Sequence, residues 1–151
     1  MNSFYNVIDK IKQVVSAEPF NNEITFGDIA DIDLKKQSLF PLAHIMVNNM
    51  NIEEQHVTFN ITLFLMDLVD ISNEPDATLF LGNDNRQDIL NTQAALATRV
   101  IRVLQKSDLY KDQFQLLGTA ACEPFTERFD NMLAGWAVTF DIGTKDEMTY
   151  C

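Results

Sequence analysis

Cysteine is scarce in this chain: Cys122 and Cys151 are the only two among 151 residues. That is too few for the disulfide framework of a small secreted domain, and no Cys-x-x-Cys or clustered Cys/His spacing suggests zinc. A reducing compartment is the expectation. Glycine is sparse as well, and Gly27, Gly82, Gly118, Gly135 and Gly143 stand apart from one another, so no phosphate-cradling loop of the P-loop or Rossmann type can be assembled from them. Only four prolines and no biased tract are present, which excludes collagen-like and low-complexity descriptions. Basic residues are outnumbered 11 to 22, giving a net charge of −11 and a pI near 4.4. A field of that sign repels phosphate backbones and anionic lipid head groups, so free nucleic-acid and membrane-surface binding are disfavoured. Long apolar runs are missing too, since nowhere do roughly 18 such residues follow one another. The first segment, MNSFYNVIDKIKQVV, carries Asp9, Lys10 and Lys12 inside its apolar pattern and lacks the uninterrupted centre of a signal peptide. The expectation is a soluble protein made inside the cell.

What is present is 46% hydrophobic and 10% aromatic, enough for one packed domain over residues 1–151 that buries roughly 68–70% of its unfolded surface. Phe4, Val7, Ile8, Ile11, Val14 and Val15 recur at spacings of three and four, which predicts a helix from Ser3 to Ala17, stopped by Pro19. The stretch from Asn21 to Ser38 is loop-like and acidic, with Ile24 and Phe26 in a short extended piece. Two strands follow, Leu42–Asn48 and Gln55–Val69, joined by an Asn-rich turn at Asn48–Asn51. In the second, Val57, Phe59, Ile61, Leu63 and Leu65 fall on one face, and Phe64 and Met66 add apolar bulk to the other near its end. One face therefore meets a core, and the far end is covered on both.

Residues Ser72 to Asn83 read as a loop with Pro75 and Gly82, yet it contains the apolar triplet Leu79, Phe80 and Leu81. Asp84 with Gln87 forms a capping-box pattern, and Leu90, Ala94, Ala97, Ile101 and Leu104 repeat at 4, 3, 4, 3, which predicts a helix from Asn85 to Lys106. Two further strands, Gln113–Cys122 and Leu133–Ile142, are expected on either side of an excursion through Pro124. In the last, Trp136, Val138, Phe140 and Ile142 alternate with Ala137, Thr139 and Asp141. The order predicts a single α+β domain, an antiparallel or mixed sheet with a long β-hairpin, covered on one face by two helices.

Chemistry-bearing patterns are thin. A hairpin turning around Met50 and Asn51 would set His44 opposite His56, the geometry of a two-His metal site or acid/base pair. No Cys, Asp or Glu recurs beside them to complete three or four ligands, so surface or interface histidines are expected. Asp28, Asp31 and Asp33 lack the Gly and spacing of a calcium loop, and Asp67 and Asp70 have no partner Lys or phosphate loop. Cys122 sits in TAACEPF without a nearby base and is expected to be a small buried hydrophobe. No cofactor, metal or small-molecule substrate is expected. Charge is unevenly spread: no Lys or Arg occurs between Lys36 and Arg86, whereas Glu53, Glu54, Asp67, Asp70, Glu74, Asp76 and Asp84 are acidic. Arg86, Arg99, Arg102 and Lys106 follow in the helix, so an acidic loop of one copy could face the basic helix of another. Such head-to-tail pairing of unlike surfaces builds rings.

The ordered text FPLAHIMVNNMNIEEQHVTFNITLFLMDLVD, the helix NRQDILNTQAALATRVIRVL and the closing LAGWAVTFDI resemble the tail-terminator and neck (head-tail joining) proteins of tailed bacteriophages, particularly those of crAss-like and related phages. The specific parts are Phe40, Pro41, Leu42 and His44 opening the hairpin, the long alternating strand ending in Asp67, and Gly135 with Trp136 opening the last strand. The resemblance implies a non-enzymatic virion protein, made in the bacterial host cytoplasm, whose copies form a homo-oligomeric ring at the neck or tail end. Portal, adaptor, neck or tail proteins would be its neighbours, with DNA passing through the lumen without specific binding. The expected contact between subunits or partners comprises Glu74, Asp76, Leu79, Phe80 and Leu81 of the loop with Arg99 and Arg102 of the helix. Two other readings stand beside this one: an intracellular adaptor that binds one protein through the 72–83 loop, and a metal-dependent enzyme using His44, His56, Asp67 and Asp70.

Overall fold

A computed structural model describes residues 3–17, 23–27, 41–68, 86–106, 114–128 and 133–145. The centre of the sheet is β3 (His56–Leu68), whose alternation makes one face apolar from Val57 to Leu65. Its antiparallel neighbour β5 (Leu133–Lys145) has the same pattern, and the register sets Leu65 opposite Trp136, Leu63 opposite Val138, Ile61 opposite Phe140 and Phe59 opposite Ile142. Each apolar side chain thus meets another across the strand boundary, which is where sheet stabilisation arises. On the outer sides, β2 (Leu42–Ile52) pairs with β3, and β4 (Phe114–Arg128) pairs with β5. The short β1 (Glu23–Phe26) lies parallel to β2, so the five strands form a mixed sheet in the order β1-β2-β3-β5-β4.

Both helices cover the same face. In α1 (Ser3–Ser16) the buried residues are Val7, Ile8, Ile11, Val14 and Val15, as their spacing requires. In α2 (Arg86–Gln105) they are Ile89, Gln93, Leu96, Ala97, Val100, Ile101 and Leu104. This stripe is rotated from the expected one: Leu90 and Ala94 are only half-buried and run along the helix flank. The core between the layers joins these helical residues to the inner faces of β2, β3 and β5. A second cluster, Leu42, Phe64, Met66, Phe125 and Leu133, lies on the opposite face at the far end of β3, so that end is covered on both sides as its apolar run predicts. The fold is α+β. Among the described residues no helix is long and apolar enough to cross a membrane.

Three strands run further than the sequence predicts, β5 by three residues to Lys145 and β2 and β4 by more. β2 continues through the asparagines to Ile52, and the turn falls at residues 53–55, closed by a hydrogen bond from Glu53 N–H to the His56 carbonyl at 2.9 Å. Asparagine disfavours strands, but a bulge between Val47 and Asn49 turns Asn48 so that its amide donates to Asn60 Oδ1 and Thr62 Oγ1, both at 2.7 Å. β4 likewise continues through Pro124 to Arg128, which is tolerated because β4 is an edge strand whose outer N–H groups are not needed for pairing. Gly118, at φ 66°, lies within the register shift between Leu117 and Ala121, a backbone conformation that glycine adopts without penalty. Gly135 is required for a different reason: a Cβ there would overlap the Leu65 carbonyl of the neighbouring strand.

Candidate functional site

The two histidines do not come together. His44 lies opposite Phe64, and His56 lies next to the turn, eight residues further along the partner strand, a separation of about 26 Å at strand rise. The expected pairing assumed a turn about four residues too early. His44 is fully buried. Its Nε2 lies 2.8 Å from the Gly27 carbonyl and its Nδ1 2.7 Å from Thr25 Oγ1. A carbonyl only accepts, so Nε2 carries the proton, and in the neutral ring Nδ1 accepts from the Thr25 hydroxyl. Both nitrogens are engaged in tying the end of β1 to β2, which accounts for His44 structurally. His56 is half-exposed and pairs with Glu53 three residues earlier.

Among the described residues no three His, Cys, Asp or Glu side chains group closely enough to hold a metal ion. Asp67 is half-buried. Burial pushes its carboxyl above the ordinary value, opposed by a hydrogen bond from the Leu68 N–H to Oδ1 at 2.8 Å. Cys122 differs from expectation: it is an exposed residue of β4, paired opposite Val138 and bordering open space beside α2. Its partial burial pushes the thiol above its ordinary value, which lowers its nucleophilicity at neutral pH. Asp28, Asp31, Asp33 and Asp70 lie outside the described residues.

The sheet face opposite α1 and α2 is polar over the half nearer the hairpin turn. Asn60 Nδ2 donates to Asp141 Oδ1 at 2.8 Å, and the Thr62 and Thr139 hydroxyls are 3.3 Å apart. With Asn48, these side chains form a band across β2, β3 and β5. The Thr58 hydroxyl beside it is buried without a hydrogen-bond partner.

Of the expected contact residues, Glu74, Asp76, Leu79, Phe80 and Leu81 lie outside the described residues. Arg99 and Arg102 are both exposed on α2. Arg102 also borders an open groove of about 440 Å³ between α2 and strands β4 and β5, whose lining includes Ala94, Ala97, Ile101, Ala120, Cys122 and Trp136. Trp136 is half-buried there, with its indole N–H donating to the Leu90 carbonyl at 2.8 Å, so the side chain is anchored to the helix while its ring borders the groove. Apart from the groove, the turn end of the β2-β3 hairpin bears exposed Met50 (50% accessible) and Ile52 (74%) beside exposed Glu53 and Glu54. The sequence reading missed both surfaces. Alternation of Met50 and Ile52 with Asn49 and Asn51 was the available signal for the hairpin; nothing in the text marks the groove, whose lining is drawn from α2, β4 and β5.

A scan of protein-family models gives no match to this chain, and a search of curated proteins gives none either.

Proposed function

We propose that the chain is a structural virion subunit, copies of which form a ring at the head-tail junction or the end of the tail tube of a bacteriophage particle, joining portal or adaptor to tail. The reading rests on the resemblance of the hairpin, helix and closing strand to tail-terminator and neck proteins. The observation that carries it is the exposed hairpin end. Large aliphatic side chains standing in solvent on a rigid, hydrogen-bonded strand are costly unless a partner covers them. The acidic balance of the chain suits a channel through which DNA slides without adhering. Chemistry has less support, because the histidine pair that an enzyme reading needs does not form and the one buried histidine is committed to backbone and hydroxyl partners.

Electron microscopy of negatively stained, concentrated protein tests the reading. Annular particles of uniform diameter are the expected result. Fields containing only particles of single-subunit size would overturn it.

A further inference from the structure

The hairpin end and the α2 groove are complementary to each other in shape class and in charge. The hairpin is a projection: Met50 and Ile52 are exposed, and Glu53 and Glu54 follow directly at its turn. The groove is a concavity of about 440 Å³ with an apolar floor that includes Ala97, Ile101 and Trp136, and Arg102 on its wall. Lys106, exposed one turn beyond Arg102, adds a second positive charge at the same end of α2. The hairpin thus offers aliphatic side chains next to acids, and the groove offers an apolar floor next to bases.

One copy cannot join its own two surfaces. The turn end of β3 begins at His56, opposite Lys145, whereas Trp136 in the groove lies opposite Leu65. Trp136 is nine residues of strand from that turn, about 30 Å at strand rise, the nearer groove wall at Thr119 and Ala120 lies between the levels of Asn60 and Thr62, and both surfaces are fixed to the same hydrogen-bonded sheet. The partner is therefore a separate molecule. We infer that the hairpin end of one copy seats in the α2 groove of the next, with Ile52 and Met50 on the apolar floor and Glu53 and Glu54 facing Arg102 and Lys106. This deepens the ring reading above and rests on it, since the contact supposes that copies of the chain assemble. It joins unlike surfaces, so each bound copy leaves a free hairpin at one end of the pair and a free groove at the other, and the series ends only by closing on itself. The ion pairs lie at the rim, where they set register and partner choice more than affinity. The aliphatic side chains supply the affinity.

Sedimentation of the full chain and two variants tests the contact. Ile52→Asp spoils the hairpin and keeps the groove; Arg102→Glu reverses the groove's charge and keeps the hairpin. Both positions are exposed, so each variant should retain the wild-type circular dichroism and melting temperature. Wild type should associate with increasing concentration, and each variant alone should do so about tenfold or more weakly. An equimolar mixture of the two variants should yield a heterodimer, because one intact hairpin and one intact groove remain between them. If wild type associates and either variant associates equally well, or the mixture stays monomeric, the contact is wrong while assembly stands. If wild type remains monomeric throughout, the assembly reading itself falls and takes the contact with it.

Discussion

His44 and His56 are the same residue type in one hairpin with opposite fates, and the difference is measurable. His44 is buried and uses both ring nitrogens to hold β1 against β2. Its loss leaves a cavity together with an unpartnered Thr25 hydroxyl and Gly27 carbonyl. His44→Ala should therefore cost about 3 kcal/mol of stability. His56 is half-exposed, and its pairing with Glu53 is screened by solvent, so His56→Ala should cost less than about 1 kcal/mol. Urea denaturation of both variants checks the contrast; equal losses would mean that His44 does not bear the role assigned to it. Neither fate was legible in the sequence. Placing the turn at Met50 and Asn51 pairs His44 with His56, whereas moving it to residues 53–55 shifts the partner of His44 to Phe64. An error of a few residues at a turn is doubled along the opposite strand.

At the scale of elements, the helices and the two central strands were legible because their apolar periods are long and uninterrupted. α1 ends within one residue of expectation, and β3 and β5 have the facing that alternation assigns them. The outer strands were harder to read, since their continuation depends on what neighbours supply. β2 passes through asparagines because Asn60 and Thr62 receive the Asn48 amide, and β4 passes Pro124 because no strand lies outside it among the described residues. Of the α2 stripe, Ala97, Ile101 and Leu104 are buried as their spacing predicts, whereas Leu90 and Ala94 keep helical spacing but are only half-buried, Ala94 bordering the groove. The strand centre yields a prediction of its own. Gly135 has no room for a Cβ against the Leu65 carbonyl, whereas a Cβ at Gly143 meets only the Leu117 side chain. Gly135→Ala should cost about 1–3 kcal/mol or more, since backbone must move, and Gly143→Ala clearly less because Leu117 can turn aside. Comparing the two melting temperatures decides it, and a smaller loss at Gly135 would contradict the close approach of β3 and β5.

For the whole molecule, one sheet carries a projecting aliphatic hairpin at one end of its strands and, farther along them beside α2, an apolar, base-flanked groove. The fold class could be read from the order of periodic segments. The two surfaces that the proposed contact joins could not, because each is assembled from residues distant in sequence or from a strand that reads as a turn. In the ring proposed above, unlike surfaces held at a fixed spacing and angle by one sheet would give an assembly of one size, because closure of the rotation sets the number of copies, whereas a rotation that does not close gives an open filament. Light scattering on protein eluting from a sizing column, over a wide range of loading concentrations, tests that claim most directly. The account predicts two species, the subunit and one assembly whose mass is a fixed whole multiple of it, exchanging in proportion as concentration rises. A subunit mass at every concentration would contradict it, and so would a broad distribution that grows without limit.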